Sequence, residues 1–240
     1  MKVFVTAMLL CGFCWSTSCS NSNGTMSNKP EEEVQSNTAS MMIATGEHEL
    51  REGDLVLRLS VDPASQFIRL FNRKDKRYSH AGIVLMHSGY PYIYHILTGD
   101  ENPDGKIRKD SLSKFAAAGK NFGFAIYRYE MTKKEITNVK SIIKNWIKRG
   151  VTFDMAFDLR TNDRMYCSEM IMKALREATF NRINIKTTQP TAAEASFIAE
   201  QLHLSADYWK TNSAVAIDNL FLSGHCKQIL SFNYPLYQSR

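Results

Sequence analysis

The sequence predicts an α+β fold in which a largely antiparallel sheet packs against helices. Three observations carry that reading. Apolar runs of strand length cluster between residues 55 and 129, two of them flank a turn, and helical periodicity occupies 133–148 and 167–178.

Gly53-Asp54 opens Leu55-Val56-Leu57-Arg58-Leu59-Ser60, whose length and leucine and β-branched content suit a strand. Gln66 to Asn72 suits a short helix. The stretches His80–Met86 and Tyr92–Leu97 flank His87-Ser88-Gly89-Tyr90-Pro91 and read together as a β-hairpin. Phe122 to Tyr129 is a further strand. From Lys133 to Lys148, Ile136, Val139, Ile143 and Ile147 recur at helical spacing, so one face is buried and lysines line the other. Cys167 to Ala178 repeats the pattern with Met170, Ile171, Ala174, Leu175 and Ala178. A third helix is expected after Thr191, and a last strand or turn over Val215–Leu222. No internal repeat is evident.

The hairpin brings two histidines together. A loop of even length centred between Ser88 and Gly89 pairs Gly82 with His95, and cross-strand partners share a face. His80 and His95 are then diagonal neighbours with backbones about 7–8 Å apart, and Gly82 leaves room between the rings. Taken singly, each histidine also reads as a satisfied surface or core residue. Cys167 stands at the start of a helical pattern, where unpaired amides stabilise negative charge and favour a thiolate. A buried cysteine packing as a small hydrophobe is the alternative, and a Cys167–Cys226 disulfide is another.

The first eighteen residues have the layout of an export signal: Lys2, an apolar run from Val3 to Trp15, then Ser16-Thr17-Ser18. The run falls short of the roughly 20 residues of a spanning helix. Cys19 follows the small residues as in a lipoprotein processing site, so lipidation at Cys19 and a membrane anchor through it are expected, with location in the bacterial cell envelope. Of the five cysteines, Cys11 and Cys14 lie inside the apolar run. Residues 19–45 carry few large apolar groups and the triplet Glu31-Glu32-Glu33, and read as a flexible tether; 46–240 is the folded domain.

Of the formal net charge of +6, Lys2 contributes +1 and residues 19–45 contribute −2, leaving +7 on 46–240. A basic body suits anionic envelope surfaces. Nucleic acid is not an expected partner, because no binding motif is present and the chain begins with an export signal. No cofactor and no metal are expected. A zinc site from His80, His95, Cys167 and the His225-Cys226 pair lacks the short paired ligand spacing of such sites.

Gly53-Asp54-Leu55-Val56, Ser79-His80-Ala81-Gly82-Ile83-Val84, Tyr92-Ile93-Tyr94-His95 and Tyr166-Cys167-Ser168-Glu169 resemble the ordered blocks of the YiiX/YaeF permuted papain-like amidases. That family is related to the NlpC-type peptidases and the lecithin retinol acyltransferases, and the resemblance covers roughly residues 50–178. It implies a circularly permuted papain-like (NlpC-like) fold, with the histidine block ahead of the cysteine helix. It implies Cys167 as nucleophile, His80 as general base and His95 as the residue that orients it, with Tyr166 lining the substrate site. The implied activity is that of a cysteine amidase, peptidase or esterase passing through a thioester on an amide- or ester-bearing envelope substrate. An acyltransferase on the same site, and a silent envelope-binding lipoprotein, are the alternatives.

Overall fold

The computed structural model describes residues 29–202 and 207–235, so the expected export signal and Cys19 lie outside the described residues. Its elements, in order, begin with α1 (Lys29–Glu49), β1 (Asp54–Ser60) and α2 (Pro63–Ile68), which runs into a 3-10 turn over Arg69–Phe71. The hairpin β2 (His80–His87) and β3 (Tyr90–His95) follows, then β4 (Arg108–Asp110), α3 (Leu112–Phe115), β5 (Asn121–Tyr129) and α4 (Lys133–Arg149). Next come β6 (Thr152–Phe153), β7 (Arg164–Met165), α5 (Cys167–Ala178), α6 (Ala192–Leu202), α7 (Tyr208–Thr211), α8 (Ile217–Phe221) and β8 (Cys226–Asn233). No helix among the described residues is long and apolar enough to cross a membrane.

Six strands form one sheet in the order β4-β3-β2-β1-β5-β8, every neighbouring pair antiparallel, and β6 and β7 make a separate parallel pair. The sheet is buried on both faces, which is why its central strands read as continuous apolar runs. Leu55, Leu57, Ile83 and Leu85 face a large core that includes Val139, Ile143, Ile171 and Leu175 of α4 and α5. Val56, Val84, Phe124 and Ile126 face the other way, onto Leu112 and Phe115 of α3 and onto α1.

That second face explains the main departure from the sequence reading. The stretch that reads as a flexible tether is helical from Lys29, and α1 is the cover the sheet requires. Ala39 is buried there, and Met42 and Ile43 pack against the same cluster. Gly46 lets the helix sit close: a Cβ there would lie 2.7 Å from Leu112 and 2.9 Å from Phe124. A helix with so few apolar residues hides its role, because the contact rests on Ala39, Met42, Ile43 and the close approach at Gly46.

Val215–Leu222 likewise holds a short helix where a strand or turn was expected. The Asn219 side chain accepts from the Ala216 amide at 2.8 Å, and the Asp218 carboxylate accepts from the amides of Arg73 and Lys74 at 2.8 and 2.7 Å. The Asn219 cap and the tertiary anchoring of Asp218 favour a turn of helix that this short segment does not announce. Cys226 opens β8 and pairs with Tyr129 at the end of the sheet remote from His80. Cys226 and Cys167 are both free thiols, so no disulfide joins them.

Helix α4 has the complete set of end signals. Thr132 accepts from the Glu135 amide at 3.2 Å while the Glu135 carboxylate accepts from the Thr132 amide at 2.7 Å, and Gly150 closes the helix at φ 72°.

Candidate active site

Two strands and one helix end converge. The turn at Ser88-Gly89 pairs His87 with Tyr90 and Ile83 with Tyr94, the even register expected from the sequence. His80 at the start of β2 and His95 at the end of β3 therefore share a face. His80 Nε2 and His95 Nδ1 are 2.9 Å apart. Gly82 is required between them, since a Cβ there would stand 2.3 Å from Ile93 and 3.2 Å from His95 Cβ. Both rings pack on Phe115, with centroids 5.6 and 5.0 Å away.

His95 Nε2 lies 3.1 Å from Asp110 Oδ2 at the end of β4. This contact fixes the protons of the whole chain. A carboxylate only accepts, so His95 carries its proton on Nε2 and presents a bare Nδ1 to His80. His80 must then donate from Nε2, which leaves its Nδ1 as the free lone pair. Asp110 is held by further cations, with Arg108 at 2.9 Å and Lys114 at 3.0 Å. Burial alone would raise its pKa, but the hydrogen bonds from His95, Arg108 and Lys114 outweigh burial and keep it well below the usual carboxylate range.

Cys167 is the first residue of α5. The helix ladder begins with the Met170 amide donating to Tyr166 O at 2.9 Å, so the amides of Cys167 and Ser168 precede it and are available to an anion. The Ala81 amide, adjacent to His80, and the Ser168 amide lie against the thiol and favour its charged form. Cys167 and His80 are both 7% exposed, and both line one cavity of about 470 Å³. Tyr166 lines it as well, but its hydroxyl accepts from the Val215 amide at 2.7 Å, so that group braces the site.

Arg58 completes the centre and was not singled out from the sequence. It sits directly opposite His80 in the β1–β2 register. Its guanidinium donates to Phe115 O at 2.8 Å and to Glu101 at 3.2 Å, and lies 5.0 Å over the Phe115 ring. Burial, then the Arg58 charge, then His95, hold the His80 imidazole well below its ordinary pKa. His95 is lowered too, by burial first, against the opposing pull of Asp110. The thiol does not match expectation: burial pushes Cys167 up, outweighing the amides and Arg58, whereas a helix N-terminus suggested a depressed value. These shifts favour the neutral form of both groups, a thiol and an imidazole that line one cavity.

Other acidic residues do not join this centre. Asp54 accepts from the Arg51 amide at 2.8 Å and pairs with Arg128 at 2.7 Å, which shapes the turn into β1. Glu169 is buried beneath the helix start, 2.7 Å from Lys173, and accepts from the Tyr166 amide at 3.2 Å; burial raises it to about 7. Asp110 and Arg58 are the residues that sequence reasoning missed. The signal for Asp110 was faint, a lone acid in the charged triplet Arg108-Lys109-Asp110.

The family described as permuted papain-like amidase enzymes, YaeF/YiiX, C92, matches residues 49–229. The chain belongs to this C92 family. Its cysteine helix follows its histidine strands, the permuted order of that family. A curated relative, the uncharacterized protein YiiX of Escherichia coli (strain K12), is 24% identical over 133 residues, which are 55% of this chain and 60% of that protein's length. The fold is also that of a solved structure described as metalloprotein yiiX from Escherichia coli O157:H7, with a TM-score of 0.59 at 18% identity, covering 77% of this chain and 98% of the other. The C92 fold is thus the circularly permuted papain-like arrangement that the sequence blocks implied.

The Asp110 network carries a stability prediction. A carboxylate whose pKa is depressed on folding stabilises the fold above its unfolded pKa of about 3.9, and that contribution fades as pH falls below it. Asp110→Asn is expected to cost about 1.5–3 kcal/mol at pH 7, the range for hydrogen bonds to a charged group, with the deficit shrinking as pH drops through about 4. Chemical denaturation at pH 7 and pH 3 checks this, and an equal deficit at both would contradict it.

Proposed function

We propose that the protein is an exported cysteine hydrolase that cleaves an amide or ester through a thioester on Cys167. The observation that carries this is the bare His80 Nδ1, left by the hydrogen-bond chain to Asp110, on a residue that shares a cavity with Cys167. As Cys167 Sγ attacks the substrate carbonyl, His80 Nδ1 takes the thiol proton, and the positive charge that develops is balanced along the chain by Asp110. The Cys167 amide, ahead of the helix ladder, donates to the developing oxyanion. His80 then protonates the leaving amine or alcohol, and water, deprotonated by His80, hydrolyses the thioester. His95 works through His80, as a positioning residue.

A metal, as the structural neighbour's description as a metalloprotein would suggest, does not fit the donors of this centre. Both His95 nitrogens are committed, as is His80 Nε2. That leaves His80 Nδ1 and the Cys167 thiol, short of the three or four protein ligands of a zinc centre. Among the described residues no group of three or more His, Cys, Asp and Glu could hold a metal ion.

The envelope location rests on the first nineteen residues, read as an export signal ending at an acylated cysteine. The substrate is accordingly an amide- or ester-bearing molecule of the envelope. Metabolic labelling with a fatty-acid analogue should mark the wild type and leave Cys19→Ala unmarked; equal labelling would remove the anchor.

Hydrolysis of a 4-nitrophenyl ester tests the chemistry. Cys167→Ala should abolish it, and His80→Ala should lower kcat by about 10²–10⁴, the usual worth of a general base. Because His80 acts unprotonated and its pKa is lowered, the acid limb of kcat/KM should lie below pH 6.5. A limb at or above pH 6.5, or a rate unaffected in Cys167→Ala, contradicts the mechanism.

A further inference from the structure

The outward side of α4 carries a row of cations. Lys134, Thr137, Ser141, Lys144 and Lys148 recur at three- and four-residue steps and so share one face, with Lys133 beside the first of them, and all six are exposed. At 1.5 Å per residue the row from Lys134 to Lys148 spans about 21 Å. Glu135, the helix's one acid, stands off this face and pairs with Arg182 at 2.8 Å, while Lys140 pairs with Glu52 at 2.7 Å. Among the described residues no carboxylate pairs with Lys133, Lys134, Lys144 or Lys148.

An aromatic side chain is held out beside this row. Phe180, in the turn that ends α5, is 82% exposed, more than any other large apolar side chain among the described residues. The backbone keeps it there: Phe180 has φ 50° and Asn181 φ 65°, left-handed values that a bulky residue rarely adopts. The Asn181 amide donates to Arg176 O at 2.8 Å, and the Thr179 hydroxyl donates to Leu175 O at 2.7 Å while accepting from the Ile183 amide at 3.0 Å. The turn sits against the first half of α4, where Asn138 donates to Ala178 O at 3.3 Å and Arg182 bonds to Glu135. Strain that holds a phenyl ring in water gives the isolated fold nothing, and such strain gathers at contact sites.

The apolar side of α4 is already spent, since Val139, Ile143 and Trp146 are buried in the core. The helix therefore cannot sink into a bilayer as a free amphipathic helix does, and only its lysine side is on offer. Exposed apolar groups flank that side, Phe180 toward one end and Ile147, 42% exposed, between Lys144 and Lys148 at the other. Ammonium groups in a row attract phosphate headgroups, while a phenyl ring gains by leaving water for the headgroup boundary. A soluble polyanion would use the lysines and leave Phe180 unexplained.

We infer that the outer side of α4 and the Phe180 turn form a docking surface for a bilayer rich in anionic phospholipid. Lys133, Lys134, Lys144 and Lys148 meet the headgroup phosphates, and Phe180 enters the interface. This surface is separate from the chemistry at Cys167, which stands at the opposite end of α5 from Phe180, about 18 Å away along the helix. It is separate also from a lipid on Cys19: an anchor keeps the chain near a membrane, whereas this face sets which side of the domain meets it.

Vesicle partitioning of the unlipidated full chain reads this out. On phosphatidylcholine vesicles with about 30% phosphatidylglycerol, Lys134→Gln/Lys144→Gln/Lys148→Gln should lower the partition coefficient about a hundredfold, at about fivefold per lysine. On phosphatidylcholine alone it should match the wild type, which separates this face from any binding by the apolar N-terminal run. Lys74→Gln/Lys76→Gln/Lys227→Gln removes the same charge from other elements and should have a much smaller effect. Phe180→Asn suits a left-handed backbone, so it should keep thermal stability while lowering partitioning by about fivefold. The fluorine resonance of 4-fluorophenylalanine placed at position 180 should broaden on anionic vesicles that carry a spin-labelled lipid. Equal losses from the two lysine sets, or no loss from the α4 set, would overturn the docking surface. An α4 effect with neither a Phe180→Asn loss nor fluorine broadening would overturn the bilayer as its occupant and point to a soluble polyanion.

Discussion

The arrangement depends on one buried carboxylate. Asp110 can only accept, and this single constraint passes through two imidazoles to decide which nitrogen of His80 is bare. The rest of the fold serves that relay. The antiparallel order β4-β3-β2-β1 places Asp110, His95, His80 and Arg58 on consecutive strands, one residue from each. Phe115 of α3, fully buried, underlies both rings and excludes water from the hydrogen bonds. A relay so enclosed has one set of tautomers, where a solvated one would have several.

Burial also sets the electrostatic character of the centre. A helix N-terminus favours a thiolate, and an exposed cysteine at that place would ionise readily. Here the thiol and the imidazole are both enclosed, and removing either charge from water costs more than the local dipoles return. Arg58 adds to this balance in both directions, favouring the thiolate while opposing protonation of His80. On the proposed reading, the thiol stays protonated at rest and passes its proton to His80 only as the sulfur attacks a carbonyl.

Much of this was legible in the sequence, for identifiable reasons. The Ser88-Gly89 turn dictates hairpin register, and register dictates which residues share a face, so the His80–His95 contact follows from counting residues. Helix α5 declares its first residue because the apolar periodicity starts abruptly at Cys167. Asp110 was not legible: β4 is three charged residues that form a strand only because β3 offers them an edge. Arg58 read as a polar interruption of an apolar strand, and its meaning appears only when β1 lies beside β2. Helix α1 read as a tether because its few contact residues, Ala39, Met42 and Ile43, are scattered among polar ones and show no apolar face until the sheet lies beside them. In each miss the deciding information belongs to a partner element distant in the chain.

Trapping the acyl-enzyme puts the relay and its nucleophile to a direct test. Wild-type protein quenched in acid during turnover of a 4-nitrophenyl ester, then digested and mapped by mass spectrometry, should carry the acyl group as a thioester on Cys167. The same adduct should be strongly diminished in His80→Ala. An acyl group found instead on Cys226 or on a lysine, or undiminished labelling of Cys167 in His80→Ala, would contradict a thiol activated by His80.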